Sequence, residues 1–275
     1  MSKTLKHDLI YHLILFILVV MTLYPLFLMF FTSFKNNEQF MRNFWTPTLP
    51  AHPTNYIDAW NAVSPYVFNT VLVAVISVGF GLLFASLSAY AFARLNFRFK
   101  NFLFIALLAL LMIPGLLTLI PQFVEIKAMG LFDTYSAMVL PYISGMQAFA
   151  IYVIRSFFES QPKELFEAAR IDGATEIRAY GSVAIPLAMP ILGTLAIMNL
   201  LNVWNDYLWP MISVSSPARW TISVGLLNFK GQYSTQMFYG PLFAGYVLAS
   251  LPLIILFIFC MNYFIEGMTS GAIKM

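Results

Sequence analysis

From Thr134 to Pro186 the chain reads TYSAMVLPYISGMQAFAIYVIRSFFESQPKELFEAARIDGATEIRAYGSVAIP. Its first 21 residues, to Ile154, contain no Asp, Glu, Lys or Arg, while charges crowd the stretch from Arg155 to Arg178. A bilayer-spanning helix needs roughly 20 mainly apolar residues. The first part therefore predicts a span, and the second a segment outside the hydrocarbon. Five further stretches lack those four residue types: Leu9–Phe34, Ala59–Ala93, Asn101–Val124, Ala179–Asn205 and Gly231–Ile265. The uncharged stretch Asn43–Ile57 holds Pro47, Pro50 and Pro53 and reads as a loop.

Composition agrees. Of 275 residues, 60% are hydrophobic and 10% charged, and the mean hydropathy is +0.78. A soluble domain carries about 25% charged residues, so an ordinary cytosolic enzyme, a disordered chain and a nucleic-acid binder are all excluded. Lipid cannot satisfy backbone polar groups, so spans are helices or closed barrels. A barrel would alternate in segments of about 10 residues, whereas these runs are long and uniformly apolar. The expected fold is all-α and polytopic: one transmembrane domain over 1–275, with spans near 9–31, 66–92, 102–124, 136–157, 187–210 and 241–265. A connecting loop would cover 158–186.

Six spans put both termini on one side. That side would hold Lys3, Lys6, Arg94, Arg98, Lys100, Arg155, Lys163, Arg170, Arg178 and Lys274, ten of the 15 Lys and Arg residues. The positive-inside rule makes it cytoplasmic. The apolar run after Lys6 is too long for a signal peptide and reads as a retained span. The lone Cys260 and the dispersed His7, His12 and His52 offer no metal site. No phosphate-binding glycine loop occurs, so ATP would have to be bound by a partner. The spans lack the buried charges of ion-coupled pumps.

The charged stretch has helix punctuation. Ser160 is a candidate N-cap with Pro162 in the first turn, Gly173 can end the helix in the left-handed region, Thr175 can cap a second short helix, and Pro186 would break it before the next span. Leu165, Phe166 and Ala169 are expected on one face. Such a helix–turn–helix could dock into a groove on a cytoplasmic protein or simply seal the base of the bundle.

Three stretches carry a resemblance. Glu167-Ala-Ala, then Gly173, then Val183-x-Ile185-Pro186, with Asp172 and Pro190 alongside, resembles the EAA signature of binding-protein-dependent ABC importer permeases. Val183 and Ile185 depart conservatively from its usual Ile and Leu. Trp204-Asn-Asp-Tyr-Leu-Trp-Pro210 and the end from Gly267 to Lys274 resemble motifs of the carbohydrate subfamily, and the short N-terminus with six expected spans resembles its maltose-type, MalG-like branch. The resemblance implies the type I ABC importer permease fold, in the bacterial cytoplasmic (inner) membrane. It implies a MalF-like second permease as a heterodimer partner, two ATPase subunits that hold ATP and Mg, an extracytoplasmic solute-binding protein and a carbohydrate solute. The chain itself would hold no cofactor and would not be an enzyme. The helix near 162–173 would couple to the ATPase through Leu165, Phe166, Glu167, Ala168, Ala169, Asp172 and Gly173.

Asn199, Asn202, Asp206 and Trp209 follow at i, i+3, i+7 and i+10, one continuous stripe if the helix is unbroken, with Asn205 beside it. Amides and aromatic rings suit sugars, but polar groups in spans also serve as interhelical glue. Tyr142, Gln147 and Gln122 are further solute-pathway candidates. Pro25, Pro114, Pro121, Pro141 and Pro252 are expected kinks. The segment Thr32–Pro65 would contact the binding protein or cap the bundle. Two rival functions remain at this stage: the same importer class for a sugar phosphate or glycerophosphodiester, and an ion-coupled secondary transporter.

Overall fold

The computed structural model describes residues 3–235 and 238–272, and these are helices and connecting turns with no strand. The helices are α1 (Lys3–Thr32), α2 (Asn37–Arg42), α3 (Thr54–Arg94), α4 (Lys100–Ala109), α5 (Gly115–Ala128), α6 (Tyr135–Ser160), α7 (Lys163–Ile171), α8 (Glu176–Ala179), α9 (Ile185–Asn205), α10 (Leu208–Ser213), α11 (Ile222–Thr235) and α12 (Tyr239–Ala272). Five segments are long and apolar enough to cross a membrane: those of α1, α3, α6, α8–α9 and α12. Lys274 lies outside the described residues.

The third expected span is not one rod. A 3-10 turn, Leu110–Met112, ends α4, and α5 starts at Gly115 with a bend of 102° between the two limbs. The cause is Pro114, which has no N–H to donate. Ile113 before it is forced extended, at φ −84° and ψ 117°. Pro25, Pro121, Pro141 and Pro252 instead lie inside continuous helices.

Pro186 also fails to break its helix. The chain runs from Glu176 to Asn205 through a π turn at Tyr180–Ala184, where the Ile185 N–H donates to the Tyr180 carbonyl. The wider turn takes up the proline, whose ring would clash with the carbonyl four residues back in a regular helix. At the other end α9 stops at Asn205 rather than running to 210, because Asp206 is extended at ψ 123°.

The chain forms two compact units. One takes the residues up to Pro65 with Gly225–Pro252, and the other Tyr66–Val224 with the residues from Leu253.

In the first unit the stretch Ile10–Thr32 of α1 is strongly apolar, and its most apolar window has no buried residue. Beyond it the chain knots tightly. Asn36 and Gln39 make a reciprocal capping box on α2. Lys35 is 1% exposed, and its ammonium donates to the carbonyls of Asn43 (2.6 Å) and Phe44 (3.0 Å). Burial pulls its pKa below the ordinary lysine value. Asn55 Nδ2 donates to the carbonyls of Ser33 and Lys35. Tyr239 stacks on Phe40 with centroids 4.1 Å apart.

In the second unit α6 packs against α4, α9 and α10. Ala85, Ala89, Ala150, Ala184 and Ala188 are buried to 0% exposure, so the backbones of α3, α6 and α9 can approach closely. Asn69 Nδ2 in α3 donates to the carbonyls of Ala218 and Trp220, and Thr70 Oγ1 accepts from the Ile222 N–H. Asp133, left-handed at φ 59°, clasps the turn after α10. It accepts from the Ser215 and Ser216 N–H groups, the Ser216 hydroxyl and Arg219. The Ser216 hydroxyl, then its N–H and that of Ser215, and lastly the Arg219 charge hold the Asp133 carboxyl below its usual value.

Two outcomes follow from these contacts. A Cβ at Gly240 would sit 2.1 Å from the Lys35 carbonyl oxygen and 2.3 Å from Asn55 Nδ2, while one at Gly81 would meet only the flexible Met146 side chain. Gly240→Ala should cost about 1–3 kcal/mol and Gly81→Ala distinctly less, read as thermal unfolding in nanodiscs; equal midpoints would refute the close approach. The Asp133 clasp has a pH sign. Its folded pKa is lowered, so its stabilisation is complete above about pH 5 and drains as pH falls through the depressed value. The midpoint difference between Asp133→Asn and the parent should be flat from neutral pH to about 5 and shrink below about pH 4.

Candidate functional site

Two regions of the second unit gather the polar residues that the sequence singled out. The first is a recess of about 170 Å³ lined by Ser77, Val78, Pro141, Tyr142, Gly145, Met146, Asn199, Asn202 and Val203. No lining residue is charged. Asn199 binds its own helix through Leu195 O. The Tyr142 hydroxyl donates to Asp206 Oδ2 at 2.9 Å, while Asp206 Oδ1 accepts from the N–H groups of Leu208 and Trp209. Asp206 thus replaces the helical hydrogen bonds lost where α9 ends and starts α10.

This break divides the expected stripe. Asn199 and Asn202 face the recess from α9, but Trp209 is 4% exposed on α10 and its indole N–H donates to the Ala137 carbonyl. Trp209 is interhelical glue. Asn205 is exposed and donates back to Leu201 O. Gln147 donates to the Gly81 and Ile143 carbonyls, bridging α6 to α3, and neither it nor Gln122 lines the recess. Sequence reasoning missed Ser77. A lone serine in an apolar helix was the only available signal.

The second region is the helix–turn–helix of α7 and α8. Gly173 has φ +79°, its N–H donates to Arg170 O, and that of Ala174 to Ala169 O, so it ends α7 in the left-handed region where glycine is unstrained. A Cβ there would meet nothing within 4 Å. Thr175 caps α8 by accepting from the Arg178 N–H. Ser160 does not cap α7. It closes α6, with its hydroxyl on Phe157 O, and the α7 N-cap is Pro162, which makes no side-chain cap.

The expected apolar face is split. Phe166 is 2% exposed and joins the core around Tyr90 and Phe158, with the Arg94 guanidinium 4.0 Å over its ring. It cannot reach a partner from there. Leu165, Glu167, Ala168 and Asp172 are exposed, and Ala169 is half-buried. Two isoleucines that the sequence reading passed over stand furthest out, Ile171 at 86% and Ile177 at 82% exposed. No group of His, Cys, Asp or Glu side chains among the described residues could hold a metal ion.

Fold and site define a multi-pass helical membrane protein with an uncharged polar recess between its spans and a charged helix pair at one end of them. The chain belongs to the family described as binding-protein-dependent transport system inner membrane component, which it matches over residues 77–270. It is 35% identical to the arabinooligosaccharides transport system permease protein AraQ of Halalkalibacterium halodurans, covering 91% of each chain. It is 33% identical to the probable ABC transporter permease protein YurM of Bacillus subtilis, over 94% of this chain and 86% of that one. A chain in the crystal structure of a bacterial ABC transporter involved in the import of the acidic polysaccharide alginate shares the fold. Its TM-score is 0.83 at 24% identity, over 96% of this chain and 99% of that one.

The inward and outward residues of α7 should separate in a stability assay. Phe166→Ala should cost about 3–5 kcal/mol, whereas Ile171→Ala should shift the unfolding midpoint hardly at all. Comparable losses from both would contradict the burial pattern.

Proposed function

We propose that the chain is one of two permease subunits of an ATP-driven importer of sugars or oligosaccharides. The second permease would be a MalF-like chain in a heterodimer, and this chain would belong to the maltose-type branch. Two partner ATPases would bind ATP and Mg, and an extracytoplasmic binding protein would deliver the solute. Both termini and the 158–186 loop would face the cytoplasm, in line with the Lys and Arg distribution.

The observation that carries this reading is the way the charged helix pair is built. Phe166 fixes α7 to the bundle, Gly173 turns the chain sharply, and Leu165, Glu167, Ile171 and Ile177 are left exposed. An apolar tip with a carboxylate beside it suits insertion into a groove on a partner protein. ATP-driven closure of the ATPase pair would then shift the spans between two arrangements, with the free energy supplied by the partner.

For the solute, support comes from the recess chemistry and from the arabinooligosaccharide named for the AraQ relative. Asn199, Asn202, Ser77 and Tyr142 offer donors and acceptors with no formal charge. That favours a neutral, hydroxyl-rich solute over a sugar phosphate, which would call for cationic lining.

The test is uptake per ATP hydrolysed by the reconstituted importer, with oligosaccharide-loaded binding protein. Gly173→Asp and Glu167→Ala should each leave the complex assembled and reduce uptake, Glu167→Ala about tenfold or more, the loss expected for a hydrogen bond to a charged group, and Gly173→Asp because a side chain strains the left-handed turn that sets α7. Uptake at the parent level by Gly173→Asp would sink the docking role of α7.

A further inference from the structure

α3 carries Ser86, Tyr90 and Arg94 at intervals of four residues, so they rise along one face of the helix over about 12 Å. Each grips a different part of the chain from the end of α6 onward. Arg94 Nη2 donates to the carbonyls of Phe158 and Gln161, and its guanidinium carbon lies over the Phe166 ring of α7, 4.0 Å from the centroid. Tyr90 packs edge-on to Phe158 and Tyr180, and its hydroxyl donates to Glu176 Oε2 of α8 at 2.9 Å. Glu176 Oε1 meanwhile accepts from Arg170 of α7 at 2.9 Å. Ser86 Oγ and Tyr180 Oη, at the start of the π turn, lie 2.8 Å apart.

We propose that Ser86, Tyr90 and Arg94 are positioning residues that pass any displacement of the α7–α8 helix pair into α3. The inference rests on the docking reading above and adds the route by which movement enters the bundle. The physical reason is the distribution of anchors. The exposed Arg170–Glu176 pair contributes little by itself. Its carboxylate is nevertheless shared with the buried Tyr90, so α7, α8 and α3 meet at one group. Ser86 is 2% and Tyr90 4% exposed, so the α3 side of each contact is shielded from water, where a hydrogen bond is electrostatically stronger than at a surface. α9 is joined to the same helix pair through the backbone of the π turn, where the Ile185 N–H reaches back to the Tyr180 carbonyl. A push on the pair therefore reaches α3 through these side chains as well as α9 through the chain itself.

The experiment uses the whole importer in proteoliposomes and reads solute moved per ATP hydrolysed. Tyr90→Phe keeps the ring and removes one hydrogen bond, and Ser86→Ala removes another. Tyr152→Phe, an exposed tyrosine on α6, is the control. Tyr90→Phe should still give an assembled complex, with the coupling ratio down about tenfold and hydrogen exchange faster across 163–179. Tyr90→Phe combined with Glu176→Ala should lose less than the sum of the two single changes, because both remove the Tyr90–Glu176 bond while Glu176→Ala also removes the Arg170 pair. If Tyr90→Phe and Ser86→Ala couple like the parent while Gly173→Asp uncouples, the α3 route is overturned and the docking reading stands. If Gly173→Asp also couples normally, both fall.

Discussion

A backbone N–H or C=O in hydrocarbon must find a partner within the protein, since lipid offers none. The described chain meets that constraint with long helices, and its distinctive features lie where the helices stop being regular. At Pro114 the loss of a donor becomes a bend of 102°. At Asp206 a carboxylate takes over N–H groups that the ended helix no longer serves. At Tyr180–Ala184 the ladder survives by widening. The uncharged recess borders the second of these breaks, and the charged helix pair borders the third.

The sequence made the helices legible because apolar run length is a direct statement about bilayer thickness. It also marked Gly173 and Thr175 correctly, since both act through local backbone geometry. It did not show which side chains of α7 point inward. Leu165 and Phe166 are neighbours and were placed on one face, yet adjacent helical residues diverge by about 100°. Only the position of Tyr90 and Arg94 decides that Phe166 goes in and Leu165 goes out. In the sequence Arg94 counts only as one of the positive charges on one side of the membrane.

The recess shows a second limit. A stripe from Asn199 to Trp209 presupposed an unbroken helix, and no local residue pattern announced the end at Asn205. Asp206 reads in the sequence as one member of that stripe, although its work is to terminate and cap. Trp209, the residue most suggestive of a sugar platform, is buried against Ala137. The amides at 199 and 202 stay at the recess because they precede the break. Ser77 and Tyr142 join them from α3 and α6, helices distant in sequence, and no spacing rule could have paired those positions.

The π turn has an evolutionary and geometric corollary. A helix that bonds five residues back holds one residue more than a regular one over the same stretch. Removing a single residue between Tyr180 and Ala184 would restore the ordinary pitch and leave the helices on either side at nearly the same azimuth, because the wide turn absorbs the extra residue locally. Pro186 would then sit in a regular turn, with its ring against the carbonyl four residues back. The extra residue is thus what lets one helix carry both the proline and the charged pair, and a one-codon deletion would kink the chain at Pro186 and tilt the pair away from Tyr90.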